Sequence, residues 1–137
     1  MGATIRSVEY YLTTVHDRPG GAYELLSSLA TEEVNLLAFS AVPIGPENTQ
    51  LILFPQRPQT LVRAAGKTGM VLTGPQHAFL IQGDDRLGAL VDIHRKLCDA
   101  RINIYASSGV TDGKGGYGYV IYVRGDDHEQ AKRVLDV

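Results

Sequence analysis

Cysteine occurs once in the 137 residues, at Cys98, and tryptophan does not occur at all. A single thiol excludes an intrachain disulfide framework and any cysteine-based zinc or iron–sulfur site. It fits a reducing, cytoplasmic setting. No apolar run approaches the roughly 18 residues of a membrane span. The opening residues, Met1-Gly2-Ala3-Thr4-Ile5-Arg6, lack the apolar core of a secretory signal. Arg6 also stands where a myristoylation motif requires serine or threonine. An excess of one charge sign is missing too. Thirteen Lys and Arg face fifteen Asp and Glu, for a net charge of -2 and a pI near 6.0. Neither nucleic acid nor an anionic membrane is therefore expected as a partner. What remains is a chain 44% hydrophobic and 20% charged. That is enough apolar material for one ordinary domain or two very small ones.

The chain repeats itself. A shift of 68 residues aligns Leu12–Gly45 with Leu80–Gly113 without a gap, and ten positions are identical. Among them are Asp17/Asp85, Arg18/Arg86, Gly20/Gly88, Leu29/Leu97, Asn35/Asn103 and Gly45/Gly113. Conservative pairs such as Leu25/Ile93 and Val34/Ile102 lie between them. Chance predicts only two or three identities in such a window, so the duplication is read first.

Each copy predicts the same elements. A strand rich in β-branched and aromatic residues, Val8–Val15 or His77–Gln82, comes first. A turn opens a helix, with apolar residues at Ala22, Leu25, Leu26 and Leu29, or at Leu90, Ile93 and Leu97, in helical spacing. A second strand covers Val34–Val42 or Ile102–Val110, and a third Gln50–Phe54 or Gly118–Val123. Weaker helices follow, Gln59–Gly66 and Asp127–Leu135, the second about two residues later than the repeat requires. Copy one continues into Met70–Thr73, a fourth strand, before Gly74-Pro75 breaks the chain. Copy two has no counterpart, so its first strand presents an edge that another segment or a second chain must cover. The domains are expected at 1–74 and 75–137, the second truncated.

This strand–turn–helix–strand–strand–helix order, with Asp17-Arg18-Pro19-Gly20 at the first turn, resembles the ACT domain. Fourteen residues separate Gly20 from Asn35 and Gly88 from Asn103. The resemblance covers nearly the whole chain, in two copies. It implies an α+β fold of two tandem ferredoxin-like βαββαβ repeats, with antiparallel sheets covered by helices on one face, the second repeat lacking its last strand. It also implies a small stand-alone regulatory protein that binds an amino acid or similar carboxylate where two repeats pair. Any regulated metabolic enzyme would be a separate protein, and the chain itself would not be an enzyme. A homodimer is expected from the missing strand.

The residues give that site a physical basis. N–H groups in the first turn of a helix lack intrahelical partners and attract anions. Gly20, Gly21 and Gly88 let a carboxylate approach the backbone. By position, the family's ligand-contacting asparagine is Asn35 or Asn103, an amide that both donates and accepts. Asp17, Asp84 and Asp85 would neutralise a ligand ammonium. Arg18 and His16 lie in the same loop, where His16 would tune the contact with pH. If the copies pair within one chain, the Gly20 loop meets Asn103 and the Gly88 loop meets Asn35. Copy two departs from the pattern, with Leu87 in place of proline and Ser107 in place of Phe39.

Plainer readings stand beside these. A glycine between strand and helix serves as a tight turn, an Asp there as a cap, and an Asn after a helix as a left-handed stop. A pure interaction module needs no ligand at all. A small acylphosphatase would use an arginine and an asparagine, but the loop pattern around Arg18 and Arg86 does not match. His94 and Cys98 share a helical spacing that suits a metal, without further ligands. A half-buried histidine beside a core thiol is expected instead. Gly113–Gly118 lacks the phosphate-loop ending and reads as a hairpin. Tyr117, Tyr119 and Tyr122 read as strand packing, since no basic stripe accompanies them. No cofactor is implied.

Overall fold

The computed structural model describes residues 3–137. Its elements run β1 (Thr4–His16), α1 (Gly21–Thr31), β2 (Leu36–Pro43), β3 (Asn48–Pro55), α2 (Pro58–Thr68), β4 (Thr73–Asp84), α3 (Val91–Asp99), β5 (Ile104–Thr111), β6 (Gly116–Val123) and α4 (His128–Leu135). Hydrogen-bonded strands follow the order β2-β3-β1-β4-β6-β5. The chain divides into two compact units. One is Glu9–Gln76; the other combines residues 3–8 with His77–Val137.

In the unit Glu9–Gln76, alternation along the strands separates a helix-covered face from its reverse. Tyr11 opposes Leu53 and Thr13 opposes Leu51 across the antiparallel β1–β3 ladder. Tyr11, Leu51 and Leu53 form a buried cluster with Leu29 of α1, Val34, and Leu61 and Ala64 of α2. Pro58 stands in the first turn of α2, where its missing N–H costs no helical bond.

The fourth strand of this unit is the start of β4. The expected strand at Met70–Thr73 is corrected: Met70–Leu72 are not in a strand, and β4 runs from Thr73 through Gly74-Pro75 without a break. The reason is close packing. Gly74 lies so near Tyr10 and Tyr11 that a Cβ would sit 3.0 Å from the Tyr10 carbonyl oxygen and from the Tyr11 ring.

In the other unit, Phe79 opposes Ile121 and Ile81 opposes Tyr119. These residues pack on Ile93 and Leu97 of α3, Ile102, Val123, and Ala131 and Leu135 of α4. The open edge of the second repeat is covered by the chain itself. Thr4–Val8 of β1 belongs to this unit and sits beside β4, the Thr4 hydroxyl donating to the Gln82 carbonyl at 3.3 Å. Its tie to α4 is specific. Ser7 Oγ and His128 Nε2 are hydrogen-bonded at 3.0 Å, and the buried His128 ring stacks on Phe79 with centroids 4.7 Å apart.

The duplication reaches backbone detail. β2 and β5 each carry a register shift at the equivalent place, Leu36/Ala38 and Ile104/Ala106. Each long helix is followed by a left-handed residue, Glu33 at φ 59° and Arg101 at φ 60°. The left-handed stop therefore falls two residues before Asn35 and Asn103.

Candidate functional site

The two turns are built alike at their start. Asp17 N–H donates to the Glu47 carbonyl and Asp85 N–H to the Gly115 carbonyl, both at 2.8 Å, which anchors each turn to the neighbouring hairpin. Gly20 (φ 90°) and Gly88 (φ 73°) then adopt the left-handed conformation that favours glycine. No side chain caps either helix, so the aspartates do not act as caps there. Among the described residues, no backbone acceptor takes the N–H of Ala22 or Tyr23 in the first turn of α1.

After that the turns diverge. α1 begins at Gly21, directly after Gly20, whereas α3 begins at Val91, three residues after Gly88. Gly21 is tightly fitted: a Cβ would lie 2.9 Å from the His16 carbonyl oxygen. The second repeat has Ala89 at that place and leaves it outside the helix.

A cavity flanks each turn. In the first unit, about 570 Å³ is bounded by β1 from Leu12 to His16, by Arg18, Gly21, Glu24, Leu25 and Ser28, and by the segment after α2. Arg18 donates to Glu24 Oε2 at 3.1 Å on its exposed rim. In the other unit, about 490 Å³ is enclosed by Asp85, Arg86, Gly88, Leu90 and Val91 on one side and Gly109–Thr111 with Tyr117–Tyr119 on the other.

Of the predicted residues, His16, Arg18 and Gly21 line the first cavity, and Asp85 and Gly88 the second, where Arg86 joins them without having been assigned to the site from sequence. Asp17, Gly20 and Asp84 lie in or beside the turns without lining either cavity. Asn35 and Asn103 are exposed and line neither. Asn35 is held by Gln56: its Nδ2 donates to Gln56 Oε1 at 3.2 Å, and its carbonyl accepts from Gln56 N–H at 2.8 Å. Both asparagines precede strands with one neighbour only, β2 and β5. Every residue of β5 after Ile104 is exposed.

Glu24, Leu25 and Ser28 were missed as cavity residues, although they follow Gly21 at i+3, i+4 and i+7 on one helix face. Tyr117 and Tyr119 were read as packing only; Tyr119 is buried, and its hydroxyl is 2.7 Å from His94 Nε2. The half-buried histidine and core thiol expected at His94 and Cys98 are corrected. Both are exposed, because Ile93 and Leu97 form the buried stripe of α3. Among the described residues, no group of three or more His, Cys, Asp or Glu is placed to hold a metal. The Gly113–Gly118 loop is a hairpin, organised by Asp112 Oδ1 accepting from Lys114 N–H at 2.6 Å and Gly116 N–H at 3.0 Å. These two donors hold the Asp112 carboxyl below its ordinary pKa. Among the described residues, no helix is long and apolar enough to cross a membrane.

The order of elements and sheet topology define an α+β protein of the ACT-like, ferredoxin-like class. No protein-family model and no curated protein sequence matches the chain. Solved structures do. Protein BT0572 from Bacteroides thetaiotaomicron superposes with a TM-score of 0.81 at 16% identity, over 96% of this chain and 88% of that one. The ligand-free regulatory subunit of aspartate kinase from Thermus thermophilus gives 0.63 at 15% identity, over 99% and 95%. The corresponding subunit from Thermus flavus gives 0.62 at 14% identity, over the same shares. At these identities the likeness is one of fold.

Proposed function

We propose that this chain is a regulatory module that binds an amino acid or similar small carboxylate, rather than an enzyme. The observation that carries this reading is the duplicated turn. Each copy places an arginine, Arg18 or Arg86, on the wall of a cavity beside a left-handed glycine. A guanidinium pairs with a carboxylate through parallel charge-assisted hydrogen bonds. Asp85, beside Arg86, suits the ammonium of the same ligand. The fold shared with aspartate kinase regulatory subunits supports a regulatory role.

The seam is proposed to form between repeats paired through β2 and β5, in a homodimer. Unpaired strand edges invite such pairing, and Asn35 and Asn103 stand at the entrances to those edges. The ligand then biases one assembled state and, through it, association with a separate metabolic enzyme in the cytoplasm.

A thermal-shift screen of the common amino acids tests this. A ligand present at 100-fold over its dissociation constant stabilises by about 2.7 kcal/mol. The Asn35→Ala/Asn103→Ala double variant should lose most of that shift. No shift with any amino acid would leave a pure interaction module, the reading that the exposed β5 edge favours next.

A further inference from the structure

The two cavities do not occupy equivalent places. Applying the 68-residue shift, only Arg18/Arg86, Gly21/Ala89 and Gln50/Gly118 line both. The second cavity lies toward β5 and β6, while the first lies on the opposite flank of its turn, along β1 and the segment after α2.

On that flank β1 outruns its neighbour. Gly74 sits against Tyr10 and Tyr11, and β4 begins one residue earlier, at Thr73. Residues 14–16 therefore extend past the end of β4. Asp17 N–H points to Glu47 in the β3 direction. In an antiparallel ladder the main-chain groups alternate in direction, so Thr14 turns its N–H and C=O away from β3, toward the cavity. Thr13 adds a polar group to the same wall. It is 7% exposed and lines the cavity, and its hydroxyl, which has no protein partner among the described residues, is open to solvent rather than buried.

The second repeat displays what such a flank takes. Gln82 and Gly83 are the counterparts of Thr14 and Val15. Extended main chain lies against them. Thr4 bonds to the Gln82 carbonyl, and a Cβ on Gly83 would be 3.1 Å from Ala3 Cα. In the first repeat the same edge faces open volume.

We propose that the cavity beside Thr13, Thr14 and Ser28 is a second binding site, for a small molecule with a peptide-like secondary amide, of dipeptide size. The amide pairs with Thr14 as an added strand does, and the Thr13 hydroxyl bonds to one end. The Arg18–Glu24 pair on the rim offers a partner for either terminal charge. Because Val15 replaces Gly83, the residue opposite it is small, with glycine preferred. This site takes in the Arg18 wall of the carboxylate reading and narrows the ligand at that turn to a peptide, leaving the Arg86 cavity to the free amino acid.

The probe is glycylthreonine, titrated into the full chain and followed by amide NMR shifts, with free glycine and free threonine as the other arms. Saturable shifts at Thr14 and His16 are expected with the dipeptide alone. Thr13→Val, which removes an unpaired hydroxyl and so keeps the fold, should weaken binding about 3- to 10-fold. Asn103→Ala should leave it unchanged, which separates this site from the regulatory reading. Absence of saturable shifts at Thr14 and His16, equal shifts with the free amino acids, or full affinity in Thr13→Val would each overturn the proposal.

Discussion

At the scale of single residues, Gly21 shows how one missing carbon sets where a helix starts. Alanine is the better helix former by about 1 kcal/mol, so intrinsic preference favours Gly21→Ala. Packing opposes it, because the new Cβ would stand 2.9 Å from a backbone oxygen that cannot swing aside. Overpacking of this sort costs about 1–3 kcal/mol. We expect Gly21→Ala to lower stability by about 1–2 kcal/mol and to move the start of α1 toward Tyr23, as Ala89 accompanies a later start in α3. Urea unfolding with amide exchange across Ala22–Leu25 would report both. A stabilised variant with an unchanged helix start would count against the clash.

Such a contact is not legible in the sequence. The 17–21 turn was marked by its glycines, yet the proximity of His16 O to Gly21 depends on the bend itself. Asn35 is the opposite case. Its recurrence was plain, but the left-handed stop it was suited to make is made by Glu33, which has no side-chain feature that announces it.

At the scale of elements, β1 joins two environments, and one end of it depends on a neutral histidine. His128 is pushed below its ordinary 6.5, chiefly because burial disfavours the cation, with His77 adding repulsion, Glu129 opposing and Lys132 adding slightly. The cation would also carry an N–H at Nδ1, a buried atom with no acceptor among the described residues. The unfolded chain, with the ordinary pKa, takes up its proton first as pH falls. The folded state therefore loses stability from about pH 6.5 downward, and the loss levels off only below the lowered folded-state value. Denaturant midpoints measured from pH 8 to 5 should fall in the wild type. They should fall less in His128→Phe, which keeps the stack on Phe79. Equal slopes would remove His128 as the cause.

The strands and helices themselves were readable because their signals are local: alternation in β3 and β6, helical spacing in α1 and α3. Thr4–Val8 was not readable as the cover for the second repeat. Its partner, Gln82, is 78 residues away, and pairing at that distance leaves no periodicity in the segment.

At the scale of the whole molecule, β5 is the feature that calls for a partner. It pairs only with β6, and Tyr105 and Val110 are 55% and 74% exposed. A lysine placed on such an edge discourages pairing. In the proposed homodimer paired through β5, Ser107→Lys should weaken association at least about tenfold, or about 1.4 kcal/mol, without changing monomer stability by more than about 0.5 kcal/mol. Sedimentation over a concentration series would read the first and urea unfolding the second. Unaltered association would move the interface away from β5.

The split strand β1 also sets an order of events during synthesis. Residues 3–8 emerge from the ribosome before the unit Glu9–Gln76, but the part of β4 they must join, from His77 on, is made only after it. That unit is contiguous and can fold as it emerges, whereas the other waits for α4 before Ser7 finds His128. Residues 3–8, made before Glu9–Gln76, are thus ordered after it, and the unit they complete has the slower, longer-range closure.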